Sequence, residues 1–270
     1  MKLHRRSLLK AAAGMTAAAS PALRAAEPAF PMGDLEAHVR MRGNLRGERT
    51  YWYYRGTVFG NAWGEATRPM LGVEGVSYSV MTPLDDGSYR YALTEAGYYS
   101  DPESGEIGDR VRNPFTGEFY RPEHYLSPQT VIFRPDLTVV PAVDGLPPGL
   151  DYTGTISPLR VFMDSVWSSE DLFVRMPVSG AEGDPDRLDF KVQTSLATLS
   201  ADRRQLLDRS RDFLPCQLNF QTLATFREWM NMGRRPGMMS WRMVGTKCRE
   251  ADVPAALAAR IAADHPGFFG

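Results

Sequence analysis

One turn is written twice between Gly97 and Glu118. Asp101-Pro102-Glu103-Ser104-Gly105-Glu106 is followed, twelve residues on, by Asn113-Pro114-Phe115-Thr116-Gly117-Glu118. In each copy the leading Asp or Asn can bond its own backbone. Proline presets φ near −65°, and glycine takes the left-handed position that closes a bulged hairpin. Two such turns at this spacing predict three antiparallel strands in a meander, running through 106–112 and 118–125. The expected fold is mainly β: an antiparallel meander closing into a barrel or strongly curved, lipocalin-like sheet. A few short helices accompany it, one of them at the C-terminus.

The flanking sequence supplies the other strands. Thr50–Phe59 carries Tyr51, Trp52, Tyr53 and Tyr54 in a row, which puts rings on both faces of one strand. One face is then core, and the other is either covered or lines a cavity. Val73–Met81 and Ser88–Tyr99 flank the hairpin signal Asp85-Asp86-Gly87, and Tyr89, Tyr91 and Leu93 share one face. Gly97 is expected to bend or bulge its strand. Val131–Arg134 and Leu137–Val140 read as a hairpin. The segments 159–167, 171–176, 190–199, 213–223 and 238–247 read as further strands, about eleven in all. The loop at 144–149 is too rich in proline for a strand, and 179–186 is a polar connection.

Helices are expected from Asp34, as its cap, to Gly43; after Ser200-Ala201-Asp202; and from Ala224 to Met232. The last begins at Asp252-Val253-Pro254 and runs through Leu257 and Ile261. No β-α alternation is present, which argues against a doubly wound sheet. A many-stranded sheet with short hairpins hides its edges by closing on itself.

Residues 1–26 read as a targeting segment, and 27–270 as one β-barrel-like domain. Lys2, Arg5, Arg6 and Lys10 precede a run of small residues too short to span a bilayer. His4-Arg5-Arg6-Ser7-Leu8-Leu9-Lys10 resembles the twin-arginine export signal. The expected partner is therefore the twin-arginine machinery, and the expected location periplasmic or secreted. No later stretch reaches the roughly 18 apolar residues of a membrane span. A formal net charge of −1 gives no global field for nucleic acid. Two cysteines, Cys216 and Cys248, are too few for a disulfide scaffold, though they could pair.

A set of short motifs carries a family resemblance. Its members are Leu45-Arg46-Gly47, Tyr54-Arg55-Gly56-Thr57-Val58, Gly72-Val73-Glu74-Gly75, Tyr98-Tyr99-Ser100-Asp101 and the two turns. Trp229-Met230-Asn231-Met232-Gly233, Pro236-Gly237 and Gly245-Thr246-Lys247 complete it. Together they resemble a bacterial family of unknown function whose members often carry twin-arginine leaders. The resemblance spans most of 45–250. It implies one domain outside the cytoplasm and carries over no reaction and no catalytic residues.

The standard catalytic motifs are not written here: no G-x-S-x-G, no phosphate-binding loop, no H-E-x-x-H. Past the leader, His38, His124 and His265 are too dispersed to suggest a metal site, and no cofactor motif appears. His124 is the best single candidate for acid–base work, against a plain loop histidine. Tyr53, Tyr91 and Tyr99 could hold an aromatic or lipid-like ligand, against plain core packing. Glu74, between two glycines in an apolar strand, needs a cation if it faces inward, and Arg55 or Arg242 could supply one. Trp229, with Met230 and Met232, is expected to plug one barrel end.

Two functions follow. The first is an exported barrel holding a small, partly apolar or aromatic molecule through Tyr53, Arg55, Tyr91, Trp229 and Arg242. The second is a cofactor-independent lyase, isomerase or cyclase in which His124, Glu74 and Tyr99 transfer protons.

Overall fold

Rings on both faces of one strand require two hydrophobic partners, and the fold supplies both. The computed structural model describes residues 30–142, 149–177 and 190–270, and the barrel lies within the unit Met32–Gly270. The leader at 1–26, nearly all of the 144–149 loop and the 179–186 connection lie outside the described residues.

The chain opens with helix α1 (Asp34–Arg42) and strands β1 (Thr50–Ala62), β2 (Arg68–Pro83) and β3 (Tyr89–Ser100). Two short strands, β4 (Val111–Arg112) and β5 (Phe119–Tyr120), precede β6 (Tyr125–Phe133) and β7 (Val139–Pro141). Then come β8 (Asp151–Ile156), β9 (Arg160–Phe162), β10 (Ser165–Pro177) and β11 (Phe190–Asp202). Helix α2 (Arg203–Leu207), β12 (Gln217–Thr225), β13 (Gly237–Cys248) and helix α3 (Ala255–Asp264) complete it. Asp202 caps α2 by accepting the Gln205 N–H at 2.9 Å.

Among the described residues eleven strands form one antiparallel sheet. Its order is β7-β6-β3-β2-β1-β13-β12-β11-β10-β8, with β9 also on β10. The sheet curls into a nearly closed barrel. Its end strands meet through a bridge between Thr138 and Thr155 and a bond from Ile156 N–H to Leu137 O at 2.7 Å. This seam covers one end only. Beyond it, β6 from Tyr125 to Gln129 pairs with β3 on one side and with no strand on the other among the described residues.

On β1, Trp52 and Tyr54 point into the barrel. Tyr51 and Tyr53 point out, where α3 covers Tyr51, Val76 and Tyr98 with Leu257 and Ile261. Helix α1 closes one barrel end. Buried Lys247 holds it there, its ammonium donating to the carbonyls of Arg40 (3.0 Å), Met41 (3.3 Å) and Gly43 (2.5 Å) at the helix C-terminus.

Several expectations are corrected. Both turns form as read: the Asp101 carboxylate accepts the N–H groups of Glu103 and Ser104, the Asn113 amide oxygen those of Phe115 and Thr116. Gly105 and Gly117 have φ of 76° and 77°. They do not, however, link strands of the meander, which runs β1-β2-β3-β6-β7. Residues 101–124 are instead an excursion containing the separate β4–β5 hairpin. It plugs the second barrel end, Phe115 and Tyr120 packing on Met70 and Met230 while the Asn113 amide donates to Met230 O at 2.7 Å.

Gly97 makes no bulge; its strand runs in register past Gly75. Asp34 does not cap α1. Gly33 stands at the cap, and the Asp34 carboxylate accepts the Leu159 N–H at 3.1 Å. The helix expected over 224–232 is strand to Thr225, then one 3₁₀ turn at Glu228–Met230, with Asn231 left-handed. The strand expected at 159–167 is two strands around a turn at Met163 and Asp164, and β8 adds a strand the pattern did not signal. The strand expected at 213–223 begins at Gln217. Cys216 and Cys248 are buried free thiols.

Candidate functional site

Between the α1 end and the hairpin plug lies a cavity of about 470 Å³. That is within the usual range for a small-molecule site. Strands around the whole barrel contribute inward residues: Trp52 and Tyr54 from β1, Tyr91, Glu95 and Tyr99 from β3, Ser195 and Ala197 from β11, Trp241 and Met243 from β13. The exposed members Glu123, Gln129 and Arg227 form its rim.

The middle of the lumen holds three linked side chains. The Tyr54 and Tyr125 hydroxyls are 3.1 Å apart, and Tyr125 OH donates to Glu95 Oε1 at 3.2 Å. Two glycines paired across β2 and β3, Gly75 and Gly97, make this possible. A methyl group on Gly75 would fall 2.5 Å from Tyr54 Cζ, and one on Gly97 2.5 Å from Tyr125 Cε1. Only bare backbone lets the two phenols lie that close against the sheet. Burial pushes the Glu95 carboxyl above the usual range, opposed by the two hydroxyls and by Arg42. Burial, and then the Glu95 charge, raises the Tyr54 and Tyr125 hydroxyls well above 10, so both stay protonated donors.

At the α1 end Arg42 Nε lies 3.5 Å from Glu170 Oε2, with its guanidinium 5.2 Å from the Tyr91 ring centre. Behind it, His38 sits fully buried, Nδ1 2.8 Å from Ser168 Oγ and Nε2 3.7 Å from Glu170. Burial lowers the His38 pKa; Glu170 is held low by Arg42 and His38 in spite of its own burial. The Tyr91 hydroxyl, buried at the lumen wall, has no hydrogen-bond partner among the described residues.

At the plug end Tyr99 packs on Tyr125 (5.7 Å) and Trp229 (5.6 Å). His124 is half-buried beside them, and its Nδ1 accepts the Tyr99 N–H at 3.1 Å. That bond fixes the neutral ring with its proton on Nε2. Burial, then nearby Arg260, lowers the His124 pKa.

Of the residues singled out from sequence, Tyr91, Tyr99, His124 and Trp229 line one cavity. Tyr53, Glu74, Arg55 and Arg242 lie on the outer surface. Glu74 does not face inward; it is half-buried outside and accepts the Tyr53 hydroxyl, with exposed Arg55 opposite it in the β1–β2 register. Arg242 is exposed and stacks over Phe59 at 4.8 Å. The reason is parity: these residues share the outward phase of their strands with Tyr53, one step from the inward Tyr54 and Trp241.

Glu95, Tyr54, Tyr125, Arg42 and Glu170 were not singled out. A signal for Glu95 was present, since it continues the Tyr91, Leu93 alternation to the same face. Among the described residues no cluster of metal-ligating side chains occurs, and no helix is long and apolar enough to cross a membrane.

Fold and lumen together define a nearly closed antiparallel barrel with an internal cavity ringed by aromatic and a few charged side chains. Residues 47–141, from just before β1 through β7, match the model of a family described as a protein of unknown function (DUF1838). The matched stretch includes Tyr54, Glu95 and Tyr125. No curated protein matches the chain.

Proposed function

We propose that this is an exported binding protein whose barrel lumen holds a small, partly apolar or aromatic molecule. One observation carries the reading: a cavity of about 470 Å³ walled by rings from both halves of the sheet, with polar and charged side chains set among them. A filled interior would have served stability better, since a void forfeits packing contacts.

The test is native mass spectrometry of the exported protein, joined to a lumen-filling variant, Ala197→Phe. The expected result is a co-purifying small molecule, or saturable one-to-one binding of an aromatic dye, lost in a variant that still melts cooperatively. Dye binding undiminished by the filled lumen would overturn the reading. Export rests on Arg5-Arg6 and Leu8-Leu9-Lys10; replacing both arginines by lysine should strand the protein in the cytoplasm.

A second reading is favoured by Glu95. A desolvated carboxyl beside two phenol donors suits proton transfer in a cofactor-independent lyase, isomerase or cyclase. In that case Glu95→Gln abolishes turnover while leaving ring binding intact.

A further inference from the structure

The lumen holds more negative than positive charge. Among its lining residues Glu95, Glu123 and Glu170 stand against Arg42 and Arg227, an excess of one carboxylate. Glu123 and Arg227 are at the exposed rim, and Arg42 is engaged by Glu170 at the closed end. The carboxylate left over is Glu95. It makes no salt bridge among the described residues, and the Tyr125 hydroxyl donates to its Oε1. Its partners, the Tyr125 hydroxyl and behind it the Tyr54 hydroxyl, are neutral phenols.

An unpaired carboxylate away from bulk water is costly unless something neutralises it. Here that cost is built in rather than accidental. Gly75 and Gly97 clear space for the two phenols, and the Tyr125 hydroxyl, backed by Tyr54, holds Oε1 of a carboxylate that lines the cavity. The rings of Tyr54, Tyr99, Tyr125 and Trp241 line the same space, and aromatic faces attract cations. Resting on the lumen-binding reading, we infer that the occupant is a protonated amine on an apolar or aromatic body, its ammonium set against Glu95. The ammonium donates to the Glu95 carboxylate, the Tyr125 hydroxyl keeps its bond to Oε1, and the body packs between the rings.

Three probes of one shape test this on the full-length protein: 2-phenylethylamine, its neutral counterpart 2-phenylethanol, and phenylacetate, titrated by calorimetry. The wild type should bind the amine about tenfold or more tightly than the alcohol, the usual worth of one charge-assisted bond. Phenylacetate should bind weakest. Glu95→Gln, isosteric and relieved of a buried charge, should still fold and should bind amine and alcohol alike. An alcohol that binds as well as the amine to the wild type overturns the inference and leaves the lumen reading standing. Phenylacetate binding tightest overturns it in favour of Arg42. If none of the three binds while the aromatic dye does, the amine inference fails alone; if the dye fails too, both fall.

Discussion

The Tyr125 ring occupies the space where a side chain on Gly97 would be: a methyl there would lie 2.5 Å from Tyr125 Cε1. The ring belongs to β6 and the glycine to its neighbour β3, directly opposite in register. Gly97→Ala must therefore push the phenol off the sheet and away from Glu95. We expect a loss of roughly 1–3 kcal/mol by overpacking, measured by urea denaturation. In a Tyr125→Ala background the same substitution should cost much less, because the clashing ring is gone; an unchanged cost in that double-mutant cycle would place the strain elsewhere.

Lys247 ties the end cap to the barrel wall. Its ammonium serves three carbonyls at the end of α1, groups the helix itself leaves unbonded. Lys247→Met keeps the apolar stem and orphans those carbonyls. The expected loss is about 2–4 kcal/mol, with amide exchange accelerating over 34–43 before the rest of the sheet. Exchange that rises uniformly over all strands would mean α1 is held by something else.

How much of this was legible depended on whether the signal was local. The turns at 101–106 and 113–118 were readable because one side chain, one proline and one glycine determine each. Which strands they join was not, because pairing between β3 and β6 spans the whole excursion and no nearby residue records it. The aromatic run Tyr51–Tyr54 has rings in both phases, so its inward face could not be chosen from β1 alone. The choice is recorded in Gly75, which leaves room for Tyr54 and for nothing else. Glu74, one residue earlier, thereby falls outside. Glu95 was readable by alternation from Tyr91 and Leu93. The Arg42–Glu170 pair joins α1 to β10 and has no short-range signature.

Closure of the barrel depends on one bare position. Gly154 on β8 faces β7 so closely that a methyl group would sit 2.6 Å from Val139 O and 2.8 Å from Val139 Cβ. Neither can yield without parting the seam held by Thr138–Thr155 and by Ile156 N–H to Leu137 O. Gly154→Ala should cost roughly 1–3 kcal/mol and raise amide exchange in β7 and β8 ahead of β1 and β13. A variant as stable as wild type, with both edge strands protected, would show that the seam can widen freely.

His38 should make the fold sensitive to mild acid. Burial lowers its pKa below the ordinary 6.5, although Glu170 works to raise it; Arg42 and burial act together against the imidazolium. The native state therefore binds fewer protons than the unfolded chain. Stability is present above pH 6.5 and is lost as pH falls through the lowered native value. Glu95, raised, has the opposite sign: as pH drops toward 4.5, protonation relieves its burial. Glu170, lowered, adds to the loss only nearer its own ordinary 4.5. His124 is lowered as well and contributes in the same direction as His38. The clean measurement is a difference: stability of wild type minus His38→Gln, followed from pH 7.5 to 5. It should fall with acid, because Gln replaces the titrating ring beside Ser168 and carries no proton of its own. His124→Gln should leave most of that slope in place, since its ring is only half-buried. A flat difference curve would mean that the His38 ring accepts its second proton without penalty, Glu170 offsetting both burial and the repulsion from Arg42.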